Sequence, residues 1–251
     1  MYININTYQN TNETLALEQF DVVDKATLRR VLAASAIGNF VEWFDFAIYG
    51  FMAVIIAQHF FPAGDPSVAL MQTFAVFAIS FALRPLGGLY FGSLGDRIGR
   101  KKVLALTIVL MASATALIGV LPTYESMGLA APLLLVFARC VQGFSAGGEY
   151  AGACAFVMEH APRNKRGRYG SFVPVSTFAA FASAALLSLL MNESISEQNM
   201  QDWGWRAPFL LAAPLGLIGL YIRIKLDESP AFKVLKALFP KSREPFAVSV
   251  I

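Results

Sequence analysis

Apolar residues in this chain fall into six long runs, at roughly 31–57, 68–94, 103–121, 132–158, 169–191 and 205–224, separated by short polar connections. Each run is long enough to cross a hydrocarbon layer ~30 Å thick at ~1.5 Å of rise per residue, the longer ones with tilt. One such run is compatible with a buried helix of a soluble protein; six in series are not. The pattern predicts an all-α integral membrane protein, a bundle of six transmembrane helices. Composition agrees, with 56% of the 251 residues hydrophobic and a mean hydropathy of +0.55.

The net charge of +3 matters less than its placement. Lys25, Arg29 and Arg30 precede span 1, and Arg97, Arg100, Lys101 and Lys102 follow span 2. Arg163, Lys165, Arg166 and Arg168 follow span 4, and Arg223 and Lys225 close span 6. The connections 59–67, 122–131 and 192–204 hold no Lys or Arg, but contain Asp65, Glu125, Glu193, Glu197 and Asp202. The positive-inside rule places both termini in the cytoplasm, with the chain multi-pass in the cell (inner) membrane. Every basic cluster abuts a span, so the expected partner is the lipid bilayer and not nucleic acid. Residues 1–24 are polar and lack the charged start and apolar core of a cleaved signal, which predicts a disordered cytoplasmic tail. Cys140 and Cys154 lie too far apart on one helix to pair with each other. His59 and His160 fall on opposite sides of the membrane, so neither a metal site nor a cofactor is expected.

Chemistry within the spans concentrates on two of them. Glu42 and Asp45, at i and i+3, share one face of span 1. Carboxylates near a bilayer midplane are costly unless they face a cavity or a cation, so they form either a structural ion pair or a proton or substrate site. Asn39 and Tyr49 lie on nearly the same side and are candidate cavity residues. Arg84 in span 2 reaches a similar depth if the two spans cross antiparallel, which makes Glu42 or Asp45 its expected partner. Span 4 carries Arg139, Gln142 and Glu149; ~15 Å of helical rise separates Arg139 from Glu149, so those two are not partners. Gly88/Gly92, Gly143/Gly147 and Gly148/Gly152 offer small faces for close helix contact. Gly143 to Gly147 also spells G-x-S-x-G, but mid-helix and with no histidine in a span, so no enzyme is expected.

The run GSLGDRIGRKK from Gly92 to Lys102, between the second and third spans, resembles the signature loop of the major facilitator superfamily, G-x-L-x-D-R-x-G-R-[KR]. The pattern N-x-x-E-W-F-D-F-x-x-Y-G from Asn39 to Gly50, GGEY ending at Tyr150, and DWGWRAPF from Asp202 resemble the metabolite:proton symporter branch, most of all its proline/betaine carriers. The resemblance covers roughly 25–232 and implies the N-terminal half of a fold in which two six-helix halves enclose a midplane cavity. Residues 233–251 would begin a central cytoplasmic loop cut short, so the chain is expected to be a truncated half, completed by a C-terminal half or a second copy. The implied function is proton-coupled symport of a small metabolite, the osmolytes proline and glycine betaine ranking first. A di- or tricarboxylate symporter is the alternative within transport, and a transport-incompetent membrane subunit or sensor the alternative outside it. The resemblance makes Glu42, Asp45, Arg84, Arg139, Gln142 and Glu149 candidates for proton coupling or substrate binding, with Arg139-x-x-Gln142-Gly143 matching the family's fourth-span motif. Gly92, Asp96, Arg97, Gly99 and Arg100 would form a conformational-switch loop, in which Asp96 latches one state against a helix of the other half.

Overall fold

The computed structural model describes residues 25–62 and 64–225. The expected tail at 1–24 and the loop start at 233–251 lie outside the described residues. Six long helices dominate: α1 (Lys25–Phe51), α2 (Pro66–Ile98), α3 (Arg100–Val120), α4 (Ala130–His160), α5 (Phe172–Ser194) and α6 (Arg206–Ile224). Each is long and apolar enough to cross a membrane, α5 together with the short turns that lead into it from Arg163.

Local chemistry sets the helix ends. Asp65 caps α2 by accepting from the Ser67 amide at 2.8 Å, and Pro66 stands at the first position, where a missing N–H has no helical partner to lose. Gly99 alone separates α2 from α3, with φ of 102°, a left-handed value that a residue with a Cβ adopts only under strain. Within the spans, hydroxyls return to their own backbone, Thr73 to the Ala69 carbonyl at 3.0 Å and Ser80 to the Val76 carbonyl at 3.1 Å.

The principal helix contacts are α4 with α2, α3 and α1, then α1 with α5 and α6, and α3 with α6. Exchanging α1 with α4, α2 with α5 and α3 with α6 leaves that set unchanged, as two intertwined three-helix repeats require. Helix α1 is the most enclosed span, while α2 and α5 are the least.

Glycine fixes the tightest contact. A Cβ on Gly147 would stand 2.0 Å from the Arg84 carbonyl oxygen, one on Gly143 2.1 Å from that of Ser80, and one on Gly87 1.8 Å from that of Phe144. Helices α2 and α4 therefore meet backbone to backbone. Gly92, expected to share this contact with Gly88, has nothing within 4 Å of its Cβ position; Gly87, five residues earlier, faces α4 instead beside Gly88.

At the start of α6, Trp205 is fully buried against His59, Phe60 and Phe209, while Trp203, within the π-helical turn Met200–Gly204, is exposed. Arg206 beside it donates to the Gly119 and Leu121 carbonyls at 3.0 and 2.7 Å, covering the C-terminal end of α3.

Replacing Gly147 by Ala should push α2 from α4 and cost ~1–3 kcal/mol, the range for an overpacked core. Thermal melting of the detergent-solubilised protein should show a lowered midpoint, while Gly50→Ala, with nothing within 4 Å, should leave it unchanged.

Candidate functional site

Three carboxylates of α1 and α4 are buried, and each is matched differently. Glu42 lies 3.0 Å from the Arg84 Nη2, with Glu42 fully buried and the Arg84 side chain 17% exposed. This is the pairing expected from the antiparallel crossing, and it selects Glu42 over Asp45. The Arg84 guanidinium is also enclosed by rings, its carbon 4.9 Å from the Trp43 centroid, 4.2 Å from Phe46 and 4.5 Å from Phe81.

Among the described residues, Asp45 takes hydrogen bonds and no direct ion pair. Its Oδ2 accepts from the Thr115 hydroxyl at 2.6 Å and from the Gln142 amide at 3.4 Å. Gln142 also donates to Thr115 at 2.8 Å and accepts from Arg139, so Arg139 reaches Asp45 only through the glutamine. Arg139 is buried under aromatic rings, its guanidinium carbon 4.1 Å from Tyr49 and 4.9 Å from Phe46. Its Nε and Nη2, and Asp45 Oδ1, have no hydrogen-bond partner among the described residues. The Phe46 ring thus stands between two guanidinium groups, Arg84 and Arg139.

Glu149 belongs to a third cluster. Its Oε2 accepts from Thr107 at 2.8 Å and from Arg223 Nη1 at 3.0 Å, and its Oε1 pairs with Arg223 Nη2. Arg223 also donates to the Leu104 carbonyl, which ties α3, α4 and α6 together. On α1, Gly38 makes room for the pair: a Cβ there would lie 2.4 Å from Glu149 Oε1. Arg139 and Glu149 are not partners, in line with their separation along α4.

The two residues expected to line a cavity do not. Asn39 is fully buried and its amide donates to the Val173 carbonyl at 2.9 Å and to the Ser176 and Thr177 hydroxyls at 2.8 Å, gluing α1 to α5. Tyr49 is equally buried and donates to the Thr73 carbonyl at 3.2 Å. Both face neighbouring helices because their angular position on α1 points at α5 and α2. At the far end of α2, Asp96 lines a groove of about 460 Å³ with Gly88, Gly92, Gly95, Gly148 and Gly152. Arg97 is exposed, whereas Arg100 pairs with Glu159 at 2.7 Å.

Six buried or half-buried charges lie inside this six-helix bundle, with a glycine-lined groove at one end, and residues 31–248 match the sugar (and other) transporter family. The chain belongs to that family. It is 48% identical over 219 residues to the glycine betaine/proline/ectoine/pipecolic acid transporter of Dickeya dadantii, a match covering 87% of this chain and 44% of that protein. It is 47% identical over 219 residues to the proline/betaine transporter of Escherichia coli, again 87% of this chain and 44% of the relative. The major facilitator superfamily proton:xylose symporter bound to 6-bromo-6-deoxy-D-glucose superposes with a TM-score of 0.76 at 16% identity, over 85% of this chain and 48% of that one. That likeness establishes the fold, the fold of about half of that symporter. The chain spans about half the length of the curated relatives it matches. This is a multi-pass membrane protein of a transporter family, not an enzyme.

Sequence reasoning missed several residues of this family member's charge clusters. Arg223 sits at the end of a span, where basic residues ordinarily mark topology, and only the packing of α6 on α3 reveals it as the partner of Glu149. Thr107 and Thr115 lie on α3, which carries no charge between Lys102 and its C-terminal end and reads as packing alone. Glycine at 38 was the one available signal, a small residue beside which a guanidinium fits.

Removing one member of the Glu149–Arg223 pair leaves a buried charge uncompensated, so Glu149→Gln should cost ~3–5 kcal/mol. The double variant Glu149→Gln with Arg223→Met should recover part of that loss, as read from thermal midpoints of the solubilised protein.

Proposed function

We propose that this chain forms the N-terminal six-span half of a proton-coupled symporter for small zwitterionic osmolytes, with proline and glycine betaine as substrates. The observation that carries this reading is the identity of 46–48% to transporters named for those compounds, over 86–87% of the chain. Both termini face the cytoplasm, a placement supported by the confinement of basic connections to one side. The opposing wall of the cavity comes from a second six-helix half or a second copy, and the groove at Asp96 receives a helix of that partner.

The buried clusters support a division of labour. Asp45 is the proton carrier: it lies between α1, α3 and α4, takes only neutral hydrogen bonds, and keeps one oxygen unpartnered among the described residues. Protonation would loosen its attraction to the Arg139–Gln142 unit and free α1 to move against α4. Glu149 with Arg223, by contrast, has the saturated geometry of a fixed strut. No specific observation favours a di- or tricarboxylate substrate over a zwitterion.

The test is uptake in cells lacking their own osmolyte carriers, with the chain co-expressed with the second half of the Escherichia coli proline/betaine transporter. Accumulation of radiolabelled glycine betaine that collapses with a protonophore is the expected result. Uptake of citrate or α-ketoglutarate instead, or of nothing, would overturn the assignment. In the same assay Asp45→Asn should abolish proton-driven uptake while expression stays normal; unchanged uptake would remove Asp45 from the mechanism.

A further inference from the structure

The surroundings of Arg84 are unusual for an arginine. A guanidinium is suited to bidentate hydrogen bonding of a carboxylate. Here neither Glu42 oxygen, nor Arg84 Nε or Nη2, makes a directed hydrogen bond among the described residues, although Nη2 and Oε1 are only 3.0 Å apart. What holds the cation is a box of three rings, Trp43, Phe46 and Phe81, closed on one side by a carboxylate. Rings with a carboxylate, and no requirement for N–H donors, are the chemistry that recognises an onium ion. The box is also not sealed, since Phe81 is 37% exposed and the Arg84 side chain 17% exposed.

We propose that Arg84 is a resident stand-in for the cationic centre of the substrate. This deepens the osmolyte reading given above and rests on it. On binding, the quaternary or secondary ammonium enters the box of Trp43, Phe46 and Phe81 beside Glu42, and the displaced Arg84 turns to pair with the substrate's carboxylate. One cation replaces another, so the buried charge of Glu42 is never left uncompensated, which would be costly at this depth. A substrate without a cation cannot displace Arg84, and one without a carboxylate gives the released arginine no partner. The exchange therefore selects zwitterions. Ammonium N–H groups, where the substrate has them, find the two Glu42 oxygens free to accept.

The test is competition against radiolabelled glycine betaine bound to the wild-type chain, co-expressed with the second half of the Escherichia coli proline/betaine transporter and reconstituted in lipid nanodiscs. The competitors are unlabelled glycine betaine and tert-butylacetate, which has the same shape and carboxylate but a neutral carbon in place of nitrogen. The neutral compound should compete at least ~10-fold more weakly, the loss of a desolvated cation–ring interaction. Phe81→Leu should weaken glycine betaine by a similar factor. Arg84→Met should weaken glycine betaine yet strengthen choline, a cation with no carboxylate, a reversal that general damage to the fold would not produce. Equal competition by tert-butylacetate, or choline unaffected in Arg84→Met, overturns the exchange. If that completed complex shows no saturable glycine betaine binding, the exchange is likewise overturned, and the uptake assay separately decides whether the transport reading survives.

Discussion

A carboxylate in the middle of a hydrocarbon layer needs a cation or a dense set of donors within a few ångströms, and this bundle is arranged to supply three of them. Glu42, Asp45 and Glu149 are all buried on α1 and α4, the two helices at the centre of the contact pattern. Their partners arrive from different directions: Arg84 from α2, the Arg139–Gln142 unit with Thr115 from α4 and α3, and Arg223 with Thr107 from α6 and α3. The three solutions differ in kind. One is an ion pair boxed in rings, one a hydrogen-bonded chain that stops short of direct contact, and one a saturated pair with every oxygen engaged.

Backbone contact makes this possible. The glycine that lets α4 reach the α2 backbone, Gly147, abuts the carbonyl of Arg84 itself. With its main chain pressed against α4, that residue can send its side chain only toward α1, where Glu42 and the rings wait. Close packing of small residues and placement of the charge are thus one feature seen from two sides. The same logic operates at Gly38, whose missing side chain is the space that Arg223 and Glu149 occupy.

How much of this was legible in the sequence depended on how far apart the participants are along the chain. Six apolar runs and the basic loops between them carry the architecture directly. The Glu42–Arg84 pair was legible too, because adjacent spans cross antiparallel and counting ~1.5 Å per residue gives matching depths. Arg223 was not legible, since recognising it requires knowing that α6 packs on α3 and reaches α4, a fact that no local pattern encodes. Asn39 and Tyr49 were misplaced for a related reason. Helical period says which residues share a face, but not which neighbour that face meets, and Asn39 meets the hydroxyls of α5.

The exchange symmetry of the helix contacts has a consequence for how such a chain is made. Helix α1 rests chiefly on α4, α5 and α6, so of these six helices the one synthesised first has its main partners among the three synthesised after α3. Neither triplet of spans holds a closed core of its own. A ribosome feeding this chain into a membrane must therefore deliver α1, with two acidic groups aboard, well before its packing surface exists. Only the arginine of α2 arrives soon enough to accompany Glu42. Asp45 must wait for Thr115 and Gln142, which makes the early membrane intermediate a species with one matched and one unmatched charge.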